Sequence, residues 1–258
     1  MSSRTVTQPR AAVAARTLRR DTWWLPPLIT VVVLGGFVVY GTWTALVSRD
    51  YYVDPYLSPF YSPCLAANCE HATWRLIGGW WRLSPALLVL PFPLAFRLTC
   101  YYYRKAYYRA FWWAPPACAV PDARARYSGE TRFPLILQNA HRYFFYLALP
   151  FPLILTWDAL RAFDFPNGFG IGLGTLILLL NATLLWLYTL SCHSCRHLCG
   201  GHVNAFSRAK VRFWLWRRVT ALNVRHMPLA WTSLVWVALT DLYVRLVATG
   251  AIHDPRLF

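Results

Sequence analysis

The sequence predicts an all-α integral membrane protein. It should have five transmembrane helices, a cytoplasmic N-terminus, an external C-terminus and one further helix lying in the cytoplasmic interface. Three observations carry that prediction. Of the 258 residues, 57% are hydrophobic and only 14% charged, against about 25% charged in an average soluble domain. The remaining charge is lopsided, with 26 Lys+Arg against 10 Asp+Glu and a formal net charge of +16. Aromatic residues are abundant, including 14 Trp and 15 Tyr, as expected of belts at a lipid–water boundary. A disordered basic tail would be poor in apolar residues. A nucleic-acid-binding domain would set its positive charge on an ordinary polar surface. Both classes are excluded, and no nucleic-acid partner is expected.

A spanning helix needs roughly 20 mostly apolar residues. Stretches of that kind lie at about 25–47, 77–98, 143–160, 169–191 and 228–247. The second is the least regular, because it contains Arg82 and three prolines; Trp80 and Trp81 place that end at the interface, where Arg82 can snorkel. Of the 26 basic residues, 20 fall in residues 1–25, 97–142 and 192–227, that is before the first span, from the end of the second to the start of the third, and between the fourth and fifth. The positive-inside rule therefore places those segments in the cytoplasm. Residues 1–24 form a basic tail and 25–258 a single membrane domain. The first apolar run is too long for a cleaved signal peptide and reads as a signal-anchor. Leu88-Val-Leu-Pro-Phe-Pro-Leu94 in the second span returns as Leu147-Ala-Leu-Pro-Phe-Pro-Leu153 in the third. The repetition predicts a proline kink in each and is compatible with an inverted repeat. Segment 203–225 mixes apolar and aromatic residues with Arg and Lys, as an interfacial amphipathic helix does.

Cysteine and histidine are distributed unevenly. Cys64 and Cys69 lie in the external loop, where the oxidising compartment makes a disulfide the first expectation. Cys100 and Cys118 read as small buried hydrophobes. Between residues 192 and 202 the chain runs Cys-His-Ser-Cys-Arg-His-Leu-Cys-Gly-Gly-His, with three Cys and three His. Cytosolic thiols are not held as disulfides, so a metal is the expected occupant of this loop. Structural zinc takes four such ligands. Haem b is a weaker alternative, because no His lies in mid-span. An iron–sulfur cluster is the third option. Cys195-x-His197 and Cys199-x-x-His202 compress the two Cys–His pairs of a Rieske centre, with Cys192 and His193 as alternates.

The five spans, the cytoplasmic N-terminus and the CHSCRHLCGGH loop after the fourth span resemble the membrane-anchor subunit (C-type, cytochrome b-like) of actinobacterial succinate dehydrogenases. That resemblance implies a Rieske-type [2Fe–2S] cluster, menaquinone as electron acceptor, and a place in the bacterial cytoplasmic membrane. It also implies docking of a flavoprotein and an iron–sulfur subunit, and admits a higher oligomer of the complex. The anchor would not be catalytic alone for succinate. The chain has no G-x-G-x-x-G and no ferredoxin-type cysteine run, so flavin and other clusters belong to other chains. The competing readings are a b-haem cytochrome subunit of another respiratory complex and a non-redox membrane protein with structural zinc.

A quinone pocket needs an apolar slot with one or two donors. Tyr103, Arg104, Tyr107 and Trp113 supply aromatics and cations in helical register, with His141 at the same level. Ionisable residues within spans are functional candidates. Asp158 and Asp241 lie toward the external end, with Arg161 and Arg245 three and four residues on. That spacing suits helical ion pairs, and a proton role is the sharper alternative.

Overall fold

The computed structural model describes residues 17, 19–63, 74–77, 81–83, 85–121, 131–133 and 135–258; of residues 74–77, 81–83 and 85 only the backbone is described. The disulfide expected between Cys64 and Cys69 lies outside these residues. Helix α1 covers Leu25–Val47 and has Pro26 and Pro27 in its first turn, where a missing N–H costs nothing. Its 23 residues extend about 34 Å at 1.5 Å per residue, enough to cross a bilayer core.

The second span is shorter than its apolar stretch suggests. Residues Trp74–Ile77 (β1) and Trp81–Leu83 (β2) pair antiparallel, so Arg82 sits in a hairpin and not in a helix. Helix begins only at Pro85, whose fixed φ suits a first turn. It runs as α2 (Pro85–Val89) and α3 (Pro91–Thr99), then turns by 76° into α4 (Tyr101–Phe111).

The third span is also broken, into α5 (His141–Ala148) and α6 (Pro150–Arg161). The two breaks fall at Leu90 and Leu149, the same position of the repeated phrase, immediately before its first proline. A proline inside a helix removes one ladder hydrogen bond, so the repetition interrupts both helices in one register, while Leu90 and Leu149 themselves keep helical dihedrals. Phe92 and Phe151, the residues after those prolines, stack with centroids 6.1 Å apart.

Helix α7 (Leu173–Leu190) starts four residues later than expected. A tight hairpin of Asp164–Phe165 with Gly168–Phe169 precedes it, and Gly168 takes φ +109° there, a conformation that suits glycine. The expected metal loop is itself helical: α8 spans His193–Gly200. It leads to α9 (Lys210–Asn223), within the expected interfacial segment, and then to α10 (His226–Ala248).

Helices α6, α7 and α10 pack side by side, α3 lies against α5, and α1 touches α4 and α10. Four helical segments are long and apolar enough to span a membrane, and a fifth if the bent α2–α4 unit counts as one. Many outward side chains are large and apolar, among them Val39, Leu153 and Trp157, as lipid contact demands. The protein is an all-α membrane protein. Buried residues at its basic end form one cluster around Phe96, Cys100, Phe145, Tyr188 and Cys192. Clusters around Tyr56 and Phe165, and around Tyr61 and Leu57, fill the opposite end.

Candidate metal centre

The six Cys and His of residues 192–202 do not share one face. Cys195 and Cys199 are one helical turn apart on α8. Cys195 faces the core at 6% exposure, and burial together with the neighbouring Cys199 pushes its thiol up to about 12. His197 lies two residues on, about 200° around the helix, and is half-buried; the charge of Arg142 holds it below the ordinary imidazole range. Its ring meets His202 at 5.4 Å, which takes φ +60° beyond the helix end. Of the tetrad, Cys195 is buried, Cys199 and His197 are half-buried, and His202 is exposed. The four side chains do not gather on one point. Among the described residues no three Cys, His, Asp or Glu side chains converge on one point.

A binuclear cluster does not ask for such a point, because each iron takes two protein ligands. Two thiol–imidazole pairs lie deeper in the same end. His141 Nε2 is 3.1 Å from Cys192 Sγ, and His226 Nε2 is 3.4 Å from Cys100 Sγ. The four residues come from four places: the α3–α4 corner, the first residue of α5, the N-cap of α8 and the first residue of α10. Cys100, Cys192 and His226 are almost wholly buried. Burial pushes the Cys192 thiol up to about 12, and the nearby Cys100 acts in the same direction. All four line one cavity of about 690 Å³.

The hydrogen-bond network fixes the imidazole tautomers. Thr99 Oγ1 donates to the Ala95 carbonyl at 2.7 Å and lies 2.9 Å from His141 Nδ1. Ser191 Oγ donates to the Tyr188 carbonyl at 2.9 Å and lies 2.7 Å from His226 Nδ1. A hydroxyl has a single proton, so each must accept from its histidine. Both histidines thus carry hydrogen on Nδ1 and turn the Nε2 lone pair toward a thiol, the state in which imidazole binds metal. Phe96 stacks on His141 at 4.9 Å and Tyr188 on His226 at 5.2 Å, fixing both rings. Two sulfurs and two imidazole nitrogens, held by second partners, are a donor set that suits a mixed-ligand iron–sulfur cluster.

The other sequence candidates are dispersed. Arg104 lines the cavity along with His141 and His193. Tyr103 is buried, donates to the Ala230 carbonyl and accepts from Arg97 Nη1 at 2.6 Å. Tyr107 donates to the Leu98 carbonyl at 3.0 Å and accepts from Gln138. Trp113 is partly exposed and packs edge-on against Trp23. Cys118, expected to be buried, is exposed.

At the opposite end Asp241 is fully buried. It accepts from Arg245 Nε at 2.8 Å, from Tyr40 at 2.5 Å and from Ser58. Asp158 makes no ion pair with Arg161; Ser62 donates to its carboxylate instead.

Sequence reasoning missed Cys100 and His226 as ligands because the four donors are far apart in the chain. A signal was present: Cys100 and Cys192 follow the two spans that end at the basic side, and His141 and His226 open the two spans that return from it.

These features define a class: a polytopic helical membrane protein that buries paired thiols and imidazoles beneath its basic end. The chain belongs to the family described as actinobacterial succinate dehydrogenase subunit SdhC, whose model matches residues 25–250. It is also similar to a chain of the Mycobacterium smegmatis Sdh1 complex in the apo form. The two share 52% identity over 96% of this chain and 97% of that one, with a TM-score of 0.85. No curated protein sequence matches it.

Proposed function

We propose that this chain is the membrane-anchor and electron-transfer subunit of a succinate:quinone oxidoreductase. It would carry electrons from a peripheral iron–sulfur subunit to menaquinone through a two-iron cluster held by Cys100, His141, Cys192 and His226. The family supports the anchor role. The similar mycobacterial chain comes from a complex, which supports assembly with a flavoprotein and an iron–sulfur subunit. The one observation that carries the cluster reading is the matched pair of histidines, each with Nδ1 on a hydroxyl and Nε2 at a thiol.

When bound, such a cluster accepts and releases one electron at a time, and imidazole ligation raises its potential over an all-thiolate cluster. The chain's own residues do the rest. Thr99 and Ser191 orient the imidazoles, Phe96 and Tyr188 exclude water from their faces, and burial keeps the two thiols protonated until a metal replaces the proton. Arg97, with its guanidinium 4.5 Å from the Tyr188 ring centroid, supplies positive charge beside the site. The basic end faces the cytoplasm of a bacterial plasma membrane by the positive-inside rule, where it would dock the peripheral subunits electrostatically.

The test is EPR on the purified, reduced complex. A Rieske-type signal should survive Cys195→Ala and His202→Ala and vanish in His141→Ala and His226→Ala. The opposite pattern would return the cluster to residues 192–202. A sharp reduced α-band would mean haem b, and zinc with neither signal would end the redox reading.

A further inference from the structure

Arg97 is the one charged residue of α3 and lies three residues before Cys100. An arginine in an apolar segment ordinarily snorkels, sending its head toward the nearer water. Arg97 reaches the other way. Its Nη2 donates to Ser233 Oγ at 3.1 Å, and Ser233 lies seven residues beyond His226 on α10, about 10 Å further along that helix from the basic end. Its Nη1 donates to the Tyr103 hydroxyl at 2.6 Å and to the Ala230 carbonyl at 3.3 Å. The guanidinium is therefore held on the membrane side of the Cys–His residues.

These partners are all neutral. Among the described residues Arg97 pairs with no carboxylate. The next acid along α10, Asp241, is two turns past Ser233 and already accepts from Arg245. The rings of Tyr188 and Tyr103 lie 4.5 and 5.7 Å from the guanidinium, and such faces attract a cation without neutralising it. An uncompensated charge in a low-dielectric interior acts over a long range. Tyr188 stacks on His226 at 5.2 Å, so the guanidinium is within about 10 Å of that imidazole, and its charge acts on both members of the Cys100–His226 pair. On the other side of the centre Arg104 and Arg142 line the open polar cavity, where water weakens their effect.

We propose that Arg97 is the charge that sets the reduction potential of the Cys–His centre. It is a positioning residue, touching none of the four proposed ligands among its hydrogen-bond partners. An added electron makes the cluster more negative, so a fixed cation beside it favours the reduced state and raises the potential. Because the cation sits on the membrane side, it also draws the electron inward from the cytoplasmic partner. The inference rests on the electron-transfer reading and names what tunes that site.

The test is a potentiometric EPR titration of the assembled complex. Arg97→Met removes the charge and keeps most of the stem. At a fixed ambient potential its ratio of reduced to oxidised cluster should fall about tenfold, the effect of one charge across that distance, which is about 59 mV for a one-electron couple. Arg97→Lys keeps the charge and should keep the midpoint near that of the unaltered complex. Ser233→Asp leaves Arg97 in place but sets a carboxylate against it, and should lower the midpoint even if Arg97→Met fails to assemble. A midpoint unmoved by Ser233→Asp and by Arg97→Met overturns the proposal. So does an equal fall in Arg97→Met and Arg97→Lys, which would make the guanidinium a packing element. If the unaltered complex shows no iron–sulfur signal, the electron-transfer reading fails and this inference with it; a signal whose midpoint does not move sinks this inference alone.

Discussion

Thr99 and Ser191 show how much a single hydroxyl can determine. Each spends its proton on a carbonyl of its own helix, and so each can only accept from a histidine. Without that acceptor the imidazole is free to move its hydrogen to Nε2, where it would face the thiol and block a metal. Second partners of this kind are worth about 10–100-fold in metal affinity. Thr99→Val and Ser191→Ala should therefore each speed loss of cluster iron to a chelator, with the protein still folded and assembled. Chelator resistance equal to that of the unaltered complex would show that the tautomers are set by something else. Neither hydroxyl stands out in the sequence, because a serine or threonine near a helix end has many ordinary uses. The clustered Cys and His of 192–202 do stand out, yet residue type and spacing cannot say which face of α8 each side chain takes.

At the scale of elements, α8 and α9 form a hairpin with its own fastenings. Arg212 reaches back to the carbonyls of Cys199 and Gly201 at 2.9 and 2.8 Å, satisfying groups that a helix end leaves open. Arg196 lies 5.0 Å from the Trp216 ring and donates to Thr220. Trp216 also presses on Gly200, where an added Cβ would come within 2.2 Å of its ring. Gly200→Ala should thus push the helices apart and speed hydrogen exchange across 210–223. The EPR signal should be retained, because none of the four proposed ligands lies on the displaced contact. Loss of that signal with otherwise normal assembly would favour ligands on α8 itself. The spans were legible where an apolar run met helix-breaking residues, and α1 matches its predicted bounds of 25–47. They were misjudged at 77–83, where Trp, Ile and Leu give an apolar stretch that serves a strand as well as a helix. The helix breaks at Leu90 and Leu149 were legible because proline acts locally, whereas the 76° turn between α3 and α4 depends on tertiary packing.

The whole molecule is polar at both ends for different reasons. The basic end gathers Cys, His and Arg around buried sites, and its excess charge is visible in composition alone. The opposite end is held by a few carboxylates, Asp241 and Asp158 buried and Asp254 half-buried. Asp254 ties the C-terminal segment down, accepting from Tyr56 at 2.6 Å, from Tyr243, and from the Gly174 amide at 2.8 Å; an anion is favoured there by the N-terminus of α7. Asp241 and Arg245 do the same for the outer half of α10. Arg245 Nη1 donates to the Arg49 carbonyl at 2.6 Å, so the pair joins α10 to the chain that leaves α1. The i, i+4 spacing announced the ion pair, but nothing in the sequence announced Tyr40 and Ser58 as its further partners. Removing one member of a buried pair strands the other, at about 3–5 kcal/mol, whereas replacing both with apolar residues of similar size is often neutral. Asp241→Asn should consequently lower the thermal stability of the purified subunit sharply. Asp241→Leu combined with Arg245→Met should recover most of the loss and retain quinone-reductase turnover, as a purely structural pair requires. If the double variant is stable but turns over slowly, Asp241 has a proton-handling role. Turnover across a pH series in the double variant separates the two outcomes, since a structural pair leaves the profile in place and a proton carrier shifts it.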